Sequence, residues 1–236
     1  MSEILKINNL WGGYKEGVDI LRGISMEVQQ GEAVGIIGLN GSGKSTFGKA
    51  IMNMIPIRKG EIIFEGEDIT SLTTSQLAHR GISIMQQGGR VFSNLSVWEN
   101  LQLAAQGNMS QLSGIIPLLQ KPKKELQHLM ADKLSGGQKH QLSLAMTLAT
   151  NPRLIILDEP SAGLSPKAVD EMYEMLHAIR KKFEATIILI EQNIAKAVNF
   201  CNKSILIQQG GVSKIFVSNS ISDIEQVMFN RKPNVQ

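Results

Sequence analysis

Cysteine occurs once in the 236 residues, at Cys201, so no internal disulfide can form. A lone thiol among apolar neighbours fits a reducing compartment and reads as a small buried hydrophobe, not a nucleophile. Charge of either sign is short of an excess: 24 Lys and Arg against 21 Asp and Glu leave a net +3. That is too slight to argue for nucleic acid or an acidic membrane surface as a partner. No run approaches the roughly 20 apolar residues that a membrane-spanning helix needs, and the longest, such as Thr186–Ile190, are strand-sized. Met1-Ser2-Glu3-Ile4-Leu5-Lys6 lacks the apolar core and cleavage site of a signal peptide. Low-complexity tracts and repeats are absent. His79, His128, His140 and His177 share no metal-ligand spacing and read as surface or locally hydrogen-bonding residues. Lys121-Pro122-Lys123-Lys124 reads as a solvated loop, and Arg231–Gln236 as a polar, frayed tail.

What is present is a 42% hydrophobic content, enough to bury the core of one large domain or of a domain with a modest subdomain. Ala33–Ile37, Leu154–Leu157 and Thr186–Ile190 are short β-branched runs apolar on both faces, the pattern of buried parallel strands. Ile4–Ile7, Ile24–Val28, Glu61–Phe64 with its Glu65-Gly66 turn, and a hairpin around Gly210-Gly211 predict a smaller antiparallel sheet. From about Val97 to Thr150 the pattern is helical, interrupted by Gly107, Gly114, Pro117 and Pro122. Leu142, Ala145, Met146 and Ala149 fall on one helical face there, and the stretch reads as a helical subdomain inserted into an α/β core.

Gly38-Leu39-Asn40-Gly41-Ser42-Gly43-Lys44-Ser45-Thr46 satisfies the pattern G-x-x-x-x-G-K-[ST] behind the strand Ala33–Ile37. A helix over Lys44–Met54 can follow, with Phe47, Ile51 and Met54 on one side. Glycines at 38, 41 and 43 let the backbone turn consecutive amides toward one point, and the helix start adds a partial positive end. Lys44 would reach the β- and γ-phosphates of a nucleotide, and Ser45 would ligate Mg²⁺. Leu154–Leu157 then runs into Asp158-Glu159-Pro160. A carboxylate at the carboxyl end of such a strand lies where ligands bind in α/β sheets. Asp158 would hold Mg²⁺ directly or through water, and Glu159 would orient the attacking water and accept its proton.

Leu134-Ser135-Gly136-Gly137-Gln138 lies between these two motifs and opens a helix with exposed amides that can bind a phosphate. In that order the motifs resemble the ABC transporter ATPases over nearly the whole chain. The resemblance implies a single ATPase domain over residues 1–236, with a P-loop NTPase core of mostly parallel sheet. To that core it adds an antiparallel β subdomain and an inserted helical subdomain at approximately 97–150. It implies MgATP as cofactor and a head-to-tail dimer with an identical or sister subunit. The Ser135–Gln138 turn of one subunit then completes the ATP site of the other, whose loop supplies Gly38, Asn40, Gly41, Ser42, Gly43, Lys44, Ser45 and Thr46.

By the same resemblance Tyr14 takes the place of the aromatic that stacks on adenine, with Trp11 as rival. Gln87, or Gln86 with a one-residue shift, takes the place of the loop glutamine that touches Mg²⁺ and senses the transport domains. Three positions depart from the family: Gln192 stands where histidine usually contacts the γ-phosphate, Ser165 where an acid is common, and Gln141 where an arginine is frequent. Gln192 can donate a hydrogen bond but cannot titrate. With Gly88-Gly89-Arg90-Val91-Phe92 and Ser161–Pro166, these traits resemble the ATPases of branched-chain amino-acid importers, or relatives importing urea or short amides. The resemblance implies separate membrane-spanning permeases, an extracytoplasmic solute-binding protein, and a place on the cytoplasmic face of the inner membrane. A soluble ABC ATPase and a nearly inactive nucleotide-gated module remain as alternatives.

Overall fold

The computed structural model describes residues 2–119, 123–217 and 221–229; Lys121, Pro122 and the tail Arg231–Gln236 lie outside the described residues. Its strands are β1 (Glu3–Gly12), β2 (Leu21–Gln29), β3 (Ala33–Ile37), β4 (Ile57–Phe64), β5 (Glu67–Asp68), β6 (Ile82–Met85), β7 (Leu154–Asp158), β8 (Thr186–Glu191), β9 (Lys203–Gln208) and β10 (Gly211–Phe216). Its α-helices are α1 (Lys44–Ile51), α2 (Thr74–His79), α3 (Val97–Ala104), α4 (Lys123–His128), α5 (Gly136–Ala149), α6 (Pro166–Phe183), α7 (Ile194–Phe200) and α8 (Ile221–Met228). The residues group into two compact units, one of Met1–Leu77 with Thr186–Gln236, the other of Ala78–Ala185.

In the first unit β2, β1, β4 and β5 form an antiparallel sheet in that order. Every side chain of β3 and β8 is buried, so both faces of these strands need cover, the condition under which parallel pairing prevails. β3 pairs in parallel with β8 on one edge and β9 on the other. The hairpin of β9 and β10 therefore belongs to this sheet and not, as its Gly210-Gly211 turn suggests, to the small antiparallel one. The burial of Ser204 through Ile207 on both faces decides it. Ile37, Leu206 and Phe216 pack there with Ala197 of α7 and Ile224 and Met228 of α8.

The helix after the phosphate loop stops at Ile51, short of the expected Met54. Asn53 adopts φ 49°, its amide bonding Ala50 O and that of Met54 bonding Lys49 O, an αL stop that satisfies the last carbonyls. Met54 is consequently outside the helix and exposed, while Phe47 and Ile51 are buried.

In the second unit β6, a strand not anticipated from the sequence, pairs in parallel with β7. Between them the chain is helical, with α3 and α5 opened by capping boxes, Ser96 with Glu99 and Ser135 with Gln138. The backbone amide and hydroxyl of Ser96 hold the Glu99 carboxyl below its ordinary range. Pro117 does not interrupt helix but lies within a 3₁₀ turn, Ile116–Leu119, and Lys123 and Lys124 open α4 instead of prolonging a loop. The helix α5 also departs from expectation. Leu142, Ala145 and Ala149 are buried, but so are Ser143, Leu144, Thr147 and Leu148, and Met146 is only half-buried. Packing against α3, α6 and β6 encloses it on several sides, so the single-face pattern was too narrow.

Phe47→Ala, which empties a fully buried site in α1, should cost about 3–5 kcal/mol in a urea unfolding curve; an unchanged midpoint would place that ring outside the core.

Candidate nucleotide site

The sequence leading out of β3 puts glycine where the backbone has no room. A Cβ on Gly38 would stand 2.4 Å from the Ile207 carbonyl oxygen and 2.7 Å from Ser42 Oγ. Gly41 and Gly43 take φ of 76° and 105°, left-handed values that turn the chain back on itself. Lys44, only 4% exposed, folds its Nζ onto the carbonyls of Gly38 and Leu39 at 3.0 and 3.1 Å. Those two acceptors fix the curve of the loop and leave an ammonium at its mouth. Ser42 Oγ is buried without a hydrogen-bond partner, the kind of polar atom that a bound group or water explains. Ser45 is half-buried at the helix start and Thr46 buried behind it. A cavity of about 590 Å³ runs along Asn40, Gly41 and Ser42 toward Gln208 and Ser213. These residues fit a phosphate chain: amides, an ammonium and an unpaired hydroxyl, with no side chain at Gly38 or Gly41 to obstruct it.

Tyr14 sits in the same unit, half exposed, its hydroxyl accepting from Lys49 Nζ at 3.3 Å. The loop after it is tied down by the Arg58 guanidinium, which bonds Val18 O at 3.0 Å, Asp19 Oδ1 and Lys15 O. Trp11 lies in β1, half-buried, donating its indole N–H to Asn9 Oδ1 at 2.9 Å. Gln192 is exposed at the end of β8. Its amide and that of Asn193 bond the Glu191 carboxylate at 3.0 and 3.3 Å. Glu191, 3% exposed, was missed from the sequence; a carboxylate closing an apolar strand was its signal.

In the second unit β7 ends with Asp158, and Glu159 follows it, 3% and 7% exposed. Glu159 has φ 49°, a left-handed conformation that costs a non-glycine residue about 1–2 kcal/mol. Gln87 Nε2 donates to its Oε2 at 2.9 Å. A carboxylate only accepts, so the Gln87 amide oxygen faces away from it and is available to a hard cation. Gln86, the alternative, is half-buried. Among the described residues no cluster of His, Cys, Asp and Glu could hold a metal ion by itself.

The Ser135 hydroxyl accepts from the Gln138 amide at 3.3 Å, and the Gln138 side chain returns to the Ser135 amide at 3.0 Å. Helix geometry gives the amides of Gly136 and Gly137 no partner inside α5. Gly137 needs its glycine, since a Cβ would meet Ala168 Cβ at 2.9 Å, whereas a Cβ on Gly136 would meet nothing within 4 Å. Ser165 caps α6, accepting from the Ala168 amide at 3.4 Å, and Gln141 is half-buried. Of the histidines, His140 is neither surface-placed nor only locally bonded. It is buried, with Nδ1 2.7 Å from the Pro160 carbonyl oxygen.

A strand, a glycine loop closed by a buried lysine and a helix, in a chain whose strand β7 leads into two adjacent carboxylates, define an ATP-binding α/β ATPase of the P-loop class. The chain belongs to the ABC transporter family, whose model matches residues 21–162. It is 31% identical over 207 residues to the high-affinity branched-chain amino acid transport ATP-binding protein BraG of Pseudomonas aeruginosa, spanning 84% of this chain and 87% of that one. It is 30% identical to the lipopolysaccharide export system ATP-binding protein LptB of Escherichia coli, spanning 87% of each. The structure of CbiO1 from Clostridium perfringens, part of the ABC transporter complex CbiONQ, superposes with TM-score 0.84 at 26% identity over 98% of this chain and 94% of that one. The fold is thus a mostly parallel P-loop core with an antiparallel sheet and an inserted helical stretch. Among the described residues no helix is long and apolar enough to cross a membrane.

Gly38→Ala should lower the affinity for a fluorescent ATP analogue by about tenfold or more, a loss of at least ~1.4 kcal/mol, with the far-UV circular dichroism unchanged. Retained affinity would show that the loop can shift to admit a methyl group.

Proposed function

We propose that this chain is the ATPase motor of an importer for branched-chain or other neutral amino acids. It would work as one ATPase domain, peripheral to the cytoplasmic face of the membrane, beneath separate permease subunits served by an extracytoplasmic solute-binding protein. The observation that carries the reading is the start of α5. A Cβ on Gly136 would meet nothing within 4 Å, and no left-handed φ there requires glycine; its amide and that of Gly137 have no partner inside the helix. A phosphate brought by a second subunit explains both features, and with them a head-to-tail dimer of identical or sister chains.

The roles follow from the groups. Tyr14 offers half its ring surface for an adenine. The amides of the Gly38–Thr46 loop and the Lys44 ammonium bind the β- and γ-phosphates. Mg²⁺, held by Ser45, Gln87 and Asp158, would neutralise charge developing between those phosphates. Glu159, steadied by the Gln87 amide, orients a water and accepts its proton as the water oxygen bonds to the γ-phosphorus and the bond to the ADP oxygen breaks. Gln192 donates a hydrogen bond to the γ-phosphate, supplying no proton and no charge.

The amino-acid importer assignment is supported by Ile190-Glu191-Gln192-Asn193, by the uncharged Ser165 and by the likeness to BraG. The likeness to LptB, of nearly equal extent, favours an export ATPase as the second reading. Purifying the tagged chain from membranes and identifying its hydrophobic companions separates the two. Loss of leucine, isoleucine and valine uptake on deletion supports the first, and its retention overturns it.

Glu159→Gln should bind ATP normally and cut turnover by about a hundredfold or more, accumulating an ATP-bound dimer on size exclusion; wild-type turnover would remove Glu159 from its role. Lys44→Ala should lose nucleotide binding or hydrolysis outright. Gln192→His reports on the departure from the family: a much faster enzyme means that the glutamine limits hydrolysis, and an unchanged rate means that a neutral donor suffices.

A further inference from the structure

We propose that His140 is a positioning residue for hydrolysis, fastening the helix that starts with the phosphate-binding Ser135–Gln138 turn to the chain that carries Glu159. The inference rests on the role given above to Glu159. His140 lies in the first turns of α5 and is 6% exposed. Its Nδ1 stands 2.7 Å from the Pro160 carbonyl oxygen. A carbonyl can only accept, so Nδ1 carries the proton and the tautomer is fixed by its partner. The other side of the ring fills the space that Gly89 leaves: a Cβ there would come within 2.1 Å of the imidazole Cδ2. Gly88 and Gly89, with φ of 94° and 57°, form the turn directly after Gln87. Gln87 in turn donates to Glu159, the residue before Pro160.

These contacts close a circuit within one compact unit: Gln87 to Glu159, along the chain to Pro160, across to His140, onto Gly89 and back to Gln87. Both ends of the Gln87–Glu159 hydrogen bond are thereby anchored on one imidazole ring of α5. Glu159 holds a left-handed conformation that its own chemistry does not favour, so something beyond it must over-determine that turn. The Pro160 carbonyl, held one residue later by a buried donor, supplies that constraint. When α5 moves with a phosphate engaged at its start, the ring carries the motion to the carboxylate and to the glutamine at once. Without the N–H donor a buried carbonyl is left unpaired and Glu159 loses its anchor, while the donor removed belongs to no residue of the Gly38–Thr46 loop.

The test uses the intact, purified chain and steady-state phosphate release. His140→Leu keeps bulk and removes the donor; kcat should fall about tenfold, equivalent to ~1.4 kcal/mol of barrier, with the KM for ATP within about twofold. His140→Gln restores an N–H donor and should recover most of that kcat at unchanged KM. Wild-type kcat in the leucine variant, or an equal loss in both variants, overturns the proposal and leaves the ring as a space filler. Should the leucine variant fail to fold, Gly89→Ala decides. It pushes an intact imidazole off Pro160 and should lower kcat with KM held, and an unchanged kcat there overturns the proposal. Glu159→Gln is assayed alongside: intact turnover there removes the carboxylate's role and this proposal with it, whereas lost turnover there beside wild-type kcat in the leucine variant overturns the histidine's role alone.

Discussion

Lys44 carries a positive charge into a position only 4% exposed, where the carbonyls of Gly38 and Leu39 receive it at 3.0 and 3.1 Å. A buried cation is costly unless polar groups solvate it, and these two carbonyl oxygens contribute to that. The same two contacts hold the loop in the curve that Gly38, Gly41 and Gly43 permit. The β9 strand presses Ile207 against Gly38 so closely that no side chain fits, so the parallel sheet behind the loop sets the loop's geometry. The stability of the core and the affinity for nucleotide meet at that contact.

In the second unit the constraint is conformational. A glutamate at φ 49° stands above its relaxed energy, and the hydrogen bond from Gln87 and the anchoring of the next carbonyl hold it there. As the proposed base, a glutamate kept in this way needs no reorganisation when water arrives. The packing of α5 on several sides makes it a rigid lever for that purpose, with its serine–glycine start exposed and the turns after it buried.

Much of this could be read from the sequence where the cause is local. The five apolar residues of β3, the glycines and the lysine after them lie within one stretch of chain, and their strand, loop and helix follow from short-range sterics. Leu154–Leu157 and Thr186–Ile190 extend by one residue each, into Asp158 and Glu191, because a buried strand end can carry a carboxylate that finds donors. What failed depends on distant partners. The β9–β10 hairpin joins the larger sheet because β3 offers it an edge, which its own turn residues do not announce. The helix α1 ends at an asparagine and not at a glycine or proline. His140 sits among Gln138, Lys139 and Gln141, polar neighbours that suggest a solvated face. Its burial is created by the missing side chain of Gly89, and no periodicity reports that.

Gln192 shows how these constraints share the work. Glu191 is buried, and its carboxylate takes the backbone amides of Gln192 and Asn193, while Asn193 caps α7 through the Lys196 amide at 3.1 Å. The backbone at this turn is therefore fixed by groups that do not depend on the identity of residue 192, whose side chain remains exposed. In the role proposed for residue 192, a histidine would add a titratable charge and a glutamine adds only an oriented dipole. With the turn already rigid, an oriented neutral donor loses little entropy on meeting a phosphate oxygen. Under the proposed mechanism proton transfer is then left to the carboxylate of Glu159, which makes its supports at Gln87 and Pro160 as consequential as the phosphate loop itself.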